Sequence, residues 1–139
     1  MKYATWGPRF GAHVIDQLVV LPLYIVAAAF DQSTMDPRTG EVTGEGPIYW
    51  IVVLLALALW GYNRWYLTGT TGQSWGKRAL GIRLIGEATE EPIGAGKAFL
   101  RDLAHFVDGI ICYIGYLFPL WDAKRQTIAD KIMRTVVVG

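Results

Sequence analysis

The sequence predicts an all-α membrane protein with about three membrane-crossing segments. Three observations carry this. The 139 residues are 53% hydrophobic and 13% aromatic but only 18% charged, whereas soluble domains carry about 25% charged residues. The apolar residues gather in long runs. Tryptophans and tyrosines collect at the ends of those runs, where an amphipathic ring suits the headgroup boundary.

The first segment is read over about residues 10–30. It contains Val14-Ile-Asp-Gln-Leu-Val-Val-Leu-Pro-Leu-Tyr-Ile-Val-Ala-Ala-Ala-Phe30, nearly all apolar after Asp16. As a helix it reaches about 30 Å, the thickness of the hydrocarbon. Pro22 is tolerable there, because membrane helices can re-satisfy the backbone groups it frees. A basic start at Lys2 and Arg9 and the small residues Ala27 to Ala29 partly match a secretory signal. Asp16 interrupts the run and two more apolar segments follow, so the stretch is read as a retained span.

Residues 31–47 are polar, rich in turn formers, and hold Asp31, Asp36, Glu41 and Glu45 against one Arg38. The second segment, about 48–66, is the most apolar, with Trp50, Trp60, Trp65 and Tyr66 near its ends. Residues 67–97 are too polar to span. Lys77, Arg78 and Arg83 with Trp75 suit a stretch lying on an anionic membrane face, and 82–85 can also be read as a short strand. The third segment, about 98–121, carries Arg101, Asp102, His105 and Asp108 in its first half and is weakened by Gly109, Gly115 and Pro119. It reads as one tilted helix or as two half-helices broken near Asp108-Gly109.

Basic residues mark the cytoplasmic side. They cluster at the N-terminus and in the middle region, which places both on the cytoplasmic side. The tail (Lys124, Arg125, Lys131, Arg134) is basic too. A single third crossing puts it outside, and a broken or re-entrant segment returns it, so that Thr135–Val138 can pair with 82–85. The whole chain reads as a single domain, 1–139. The lone Cys112 lies in an apolar run and reads as a small core residue.

Arg9-Phe-Gly-Ala-His13-Val-Ile-Asp16 and Arg101-Asp-Leu-Ala-His105-Phe-Val-Asp108 share the pattern R-x-x-A-H-x-x-D. This spacing puts Arg, His and Asp on one helical face. A carboxylate at membrane depth costs about 2.5–3.5 kcal/mol on insertion scales. Arg-to-Asp pairing between the two stripes is the cheapest offset. A proton or cation path, with His13 and His105 as relays, is the alternative.

These motifs point to a family. Arg9 and Asp16 match an Arg and an Asp of the first helix in the RDD family of bacterial membrane proteins, which is named for one Arg and two Asp. Gly72-Gln-Ser-Trp-Gly-Lys-Arg-Ala-Leu-Gly-Ile-Arg83 resembles that family's G-Q-T-x-G-K-R-x-x-G-I-R signature. Arg125-Gln-Thr-Ile-Ala-Asp130 and Arg134-Thr-Val-Val-Val138 resemble its closing segment, with Asp130 as the second Asp, and Arg101 corresponds to an Arg opening its last helix. The one departure is Ser74 in place of the usual Thr. The resemblance covers nearly the whole chain. It implies a membrane location. Some members are linked to sodium/proton exchange, and the domain is often joined to other modules.

Other chemistry is excluded by pattern. A phosphate loop needs Gly before its four-residue spacer and Ser or Thr after Gly-Lys, but Thr71 and Arg78 occupy those positions. Gly7/Gly11 and Gly72/Gly76 have small-xxx-small spacing outside the clear spans, a weak dimerisation signal. His13, His105, Asp16 and Asp108 could be drawn as a metal set, but no ligand spacing supports it, and no cofactor is expected. Ser33 and Ser74 have no neighbouring His, so no enzyme is expected. A net charge of +1 gives no reason to expect nucleic acid. The expected partners are the bilayer and other membrane subunits or further copies of the chain. The functional expectation is an accessory or scaffold subunit of a larger membrane complex, with a small oligomeric proton- or sodium-coupled transporter as the alternative.

Overall fold

The computed structural model describes every residue except Met1, Gln32, Glu45 and Cys112; the expectation for Cys112 lies outside the described residues. The chain forms two compact units, one of residues 17–60 and one of residues 1–16 with 61–139.

Helix α1 runs from Trp6 to Ala29. It starts a turn earlier than the apolar pattern predicts. Pro8 falls in its first turn, where backbone N–H groups lack intrahelical partners and their loss costs little. The helix also continues through Pro22. Strands β1 (Thr34–Met35) and β2 (Val42–Thr43) pair antiparallel. A turn in which the Gly40 N–H donates to the Asp36 carbonyl joins them, with Gly40 at φ 71°. Helix α2 spans Pro47–Gly61. In the 17–60 unit Val20, Ala27 and Ala56 are buried, whereas Ile25, Leu54 and Leu55 are more than half exposed. Outward-facing aliphatic side chains of this kind suit an apolar solvent better than water.

The winding does not stop at Gly61. A π-helical turn, Tyr62–Leu67, carries it into α3, Thr68–Thr71, which Gly72 ends in the left-handed conformation. The helix is therefore about one turn longer than predicted. The short α4 (Trp75–Ala79) and β3 (Arg83–Gly86) follow. Helix α5 covers Ala95–Ile110, α6 covers Ile114–Leu117, and a 3₁₀ turn covers Phe118–Leu120. Helix α7 (Ile128–Met133) leads into β4 (Thr135–Val138). β3 and β4 pair antiparallel with Arg83 opposite Val138 and Gly86 opposite Thr135, and Tyr3 forms a bridge to Val138. The predicted strand pair is thus present, shifted by one residue from 82–85. The core of this unit gathers Ala4, Ala12, Ile82, Leu84 and Val137, with Ile93 packed against them.

Two helices, Trp6–Ala29 and Pro47–Thr71, are long and apolar enough to cross a bilayer. The pair α5 and α6 is sharply bent and makes a third only if taken as one span. The break falls after Ile110, slightly later than the Asp108-Gly109 position expected from the glycine.

Candidate functional site

The candidate site is a layer of buried charge in the unit of residues 1–16 and 61–139, organised around two carboxylates. Asp130 is fully buried at the third position of α7. Thr127 caps that helix. Its hydroxyl accepts from the Asp130 N–H at 3.1 Å, and its own N–H donates to Asp130 Oδ2 at 3.2 Å, a reciprocal capping box. Arg9 Nη1 donates to Asp130 Oδ2 at 2.7 Å and Arg101 Nε to Oδ1 at 2.7 Å, while Thr135 Oγ1 donates to Oδ1 at 3.0 Å. Helices α1, α5 and α7 and strand β4 thus meet on one side chain. Burial alone would raise its pKa, but Arg101 and Arg9 outweigh burial and hold the carboxyl far below the usual carboxylate range.

Asp16 forms the second centre. Ser74 caps α4 by accepting from the Lys77 N–H. Asp16 Oδ2 accepts from the Ser74 hydroxyl at 2.6 Å, and Oδ1 accepts from the Gly76 N–H at 2.7 Å and from Asn63 Nδ2 at 2.8 Å. The Asn63 Oδ1 in turn accepts from the Trp75 N–H at 2.8 Å. The three leading N–H groups of α4 are therefore satisfied by side chains of Asn63, Asp16 and Ser74, two of them from other helices. Gly76 is required for a separate reason. A Cβ there would overlap the Ala12 carbonyl oxygen of α1. The glycines and serine of the Gly72–Arg83 stretch thus fasten a short helix against two longer ones. Replacing Ser74 by Thr keeps the hydroxyl and is expected to change stability little, whereas Ser74→Ala is expected to cost about 1–2 kcal/mol. Denaturant unfolding of the purified protein in detergent checks this order.

A third cluster joins Arg64 to Asp102, whose Oδ2 also accepts from Trp65 Nε1 at 2.7 Å. A fourth lies near the break after α5. The His105 Nδ1 is 2.6 Å from Asp108 Oδ2, and the His105 ring stacks on Tyr116 with centroids 5.0 Å apart. Asp108 is fully buried, and its Oδ1 has no hydrogen-bond partner among the described residues. Gly115 packs so closely that a Cβ would land on that oxygen.

Lys77 is partly buried beside these clusters. Desolvation lowers its pKa to about 8; Arg101 and Arg64 add to the effect, and Asp16 and Asp102 oppose it. The unfolded amine titrates near 10.4. Below pH 8 the amine is charged in both states, and the fold bears the cost of desolvating it. That cost fades as the pH climbs through the window from about 8 to about 10.4. Stability is expected to rise across this window and to rise less in Lys77→Met; unfolding midpoints in detergent at pH 7, 9 and 10.5 test this.

The site residues read from the sequence are only partly brought together. Arg9, Arg101 and Asp130 converge. The Arg-to-Asp pairing expected between the two stripes is corrected. Both arginines take Asp130 instead, while Asp16 and Asp108 go to separate partners. His13 is exposed and has no hydrogen-bond partner among the described residues, unlike His105. Sequence reasoning missed Asn63, and it missed the roles of Ser74, Gly76, Asp102 and Thr135. A lone Asn at the end of an apolar run was the available signal for the first. Among the described residues no group of three or more His, Cys, Asp and Glu side chains is placed to hold a metal ion.

Comparison with known proteins matches the RDD family over residues 3–134. The proline-rich antigen of Mycobacterium leprae (strain TN) is 40% identical across 96% of this chain and 60% of its own length. The proline-rich antigen homolog of Mycobacterium tuberculosis (strain ATCC 25618 / H37Rv) is 52% identical across 66% of this chain and 38% of its own length. The chain thus spans less than two thirds of these relatives, and no solved structure matches it. With its Arg9, Asp16 and Asp130 in place and the match running over nearly all of its length, the chain belongs to the RDD family.

Proposed function

We propose that the protein is a structural membrane module, an accessory or scaffold subunit of a larger membrane complex. The observation that carries this is the saturation of Asp16 and Asp130. Asp16 accepts three hydrogen bonds and Asp130 is ringed by two arginines, Thr135 and Thr127, all from the same chain. Carboxylates used up in fastening helices together have little capacity left to bind and release an ion. The basic N-terminal and middle regions and the acidic first loop support a bacterial cytoplasmic membrane with both basic regions inside.

Purification in mild detergent followed by mass spectrometry tests the proposal. Stoichiometric co-purification of a larger membrane assembly is expected. A clean homo-oligomer would overturn it. A second reading, a small oligomeric proton- or sodium-coupled transporter, draws on Asp108, whose buried Oδ1 has no hydrogen-bond partner among the described residues. It predicts ion flux in liposomes that Asp108→Asn abolishes.

A further inference from the structure

We infer that α5 lies in the plane of one bilayer leaflet, with its apolar face immersed in the boundary between headgroups and acyl chains. The inference rests on the membrane placement of α1 and α2 and extends to the one apolar segment whose course that placement leaves open.

The first argument is topological. β3 and β4 pair in one antiparallel sheet, so the chain between Gly86 and Thr135 leaves and returns to the same side. It must cross the bilayer an even number of times. The apolar stretch from Ala95 to Leu120 would have to supply two crossings, and each needs about 20 residues. It is too short for two, so it makes none. Trp6 Nε1, at the start of α1, donates to the Tyr116 carbonyl at 3.1 Å, which ties α6 to the same end of α1.

The second argument is the distribution of side chains around α5. Sixteen residues reach about 24 Å, short of the roughly 30 Å hydrocarbon. One face carries Arg101, Asp102, His105 and Asp108, all turned to partners within the unit. The other carries Phe99, Leu103, Phe106 and Ile110, exposed by 41, 53, 75 and 72%. A crossing helix is apolar over most of its length, whereas a helix in the interface is polar on one side and apolar on the other from end to end. Lys97, exposed in the first turn, falls where an interfacial helix meets lipid phosphates. The polar face is already occupied by the protein's own charges, so the lipid leaflet is the occupant of the apolar face.

Nitroxide labels at positions 99, 103, 106 and 110, each alone in a Cys112→Ser background, measure depth in liposomes through collision with oxygen and with a nickel chelate. A label at Leu54 in α2 serves as the deep reference, and unfolding midpoints confirm that each labelled protein is folded. All four positions are expected at one shallow depth, about 5–10 Å inside the phosphate level, and open to oxygen. A depth that changes steadily from 99 to 110 through the bilayer centre would overturn the inference. So would protection from both reagents, which would mean that a partner helix or a second copy covers the face. A Leu54 label that is not deep would instead sink the membrane placement itself.

Discussion

Asp130→Asn is expected to destabilise the protein by about 3–5 kcal/mol, the cost typical of breaking a buried ion pair by removing one partner. The substitution keeps the shape but leaves two guanidinium groups, each with a side chain only 11% exposed, around a neutral amide. Arg9→Met should cost less. Arg9 makes one bond to Asp130 while its Nε and Nη2 are buried without partners among the described residues, so its removal also relieves two unsatisfied donors. Unfolding by SDS titration in mixed micelles orders the two variants, and Arg9→Met falling at or below Asp130→Asn would refute this account. The folded carboxyl has a depressed pKa, so its contribution is fully present above about pH 4 and is lost as the pH falls below that value.

The second large effect is expected at the junction of α1 and α4. Asp16→Ala should cost about 3 kcal/mol or more, because three buried donors on Asn63, Ser74 and Gly76 lose their acceptor together. Asp16→Asn should cost much less. The amide oxygen can still accept from Gly76 and Asn63, and the amide nitrogen can donate to the Ser74 hydroxyl. Gly76→Ala should be as severe as Asp16→Ala, because the added methyl meets backbone, which cannot rotate away. The Asn variant separates shape from charge. If Asp16 serves only to fasten α4, Asp16→Asn folds and functions. If its charge is used, the variant folds and loses activity.

The two helices long and apolar enough to cross a bilayer were legible because a bilayer demands long apolar runs, and little else writes such runs into a chain. The β3–β4 pair was legible because Thr135–Val138 is β-branched and Arg83–Ile85 alternates. The partners of the buried charges were not. The repeated R-x-x-A-H-x-x-D pattern drew attention to Arg9 and Arg101, which both donate to Asp130, but paired them with other acids. Spacing along a helix says which residues share a face. It does not say what packs on that face, and Asp130 arrives from a helix 29 residues beyond Arg101. Asn63 was hidden for a similar reason, since its role depends on a helix that begins at Trp75.

The π turn at Tyr62–Leu67 has a consequence for how this chain tolerates changes in length. Each π turn holds one residue more than an α-helical turn. Elsewhere in a packed helix, losing one residue rotates everything downstream by about 100° and scrambles both faces. Within 62–67 the surplus absorbs the loss, so the winding becomes regular and continues into Thr68–Thr71 without a break. Asn63 would be displaced from its position between Asp16 and Trp75. The segment is thus a molecular splice point. One codon can be removed there with the helix conserved, and the loss would fall on the latch to α4.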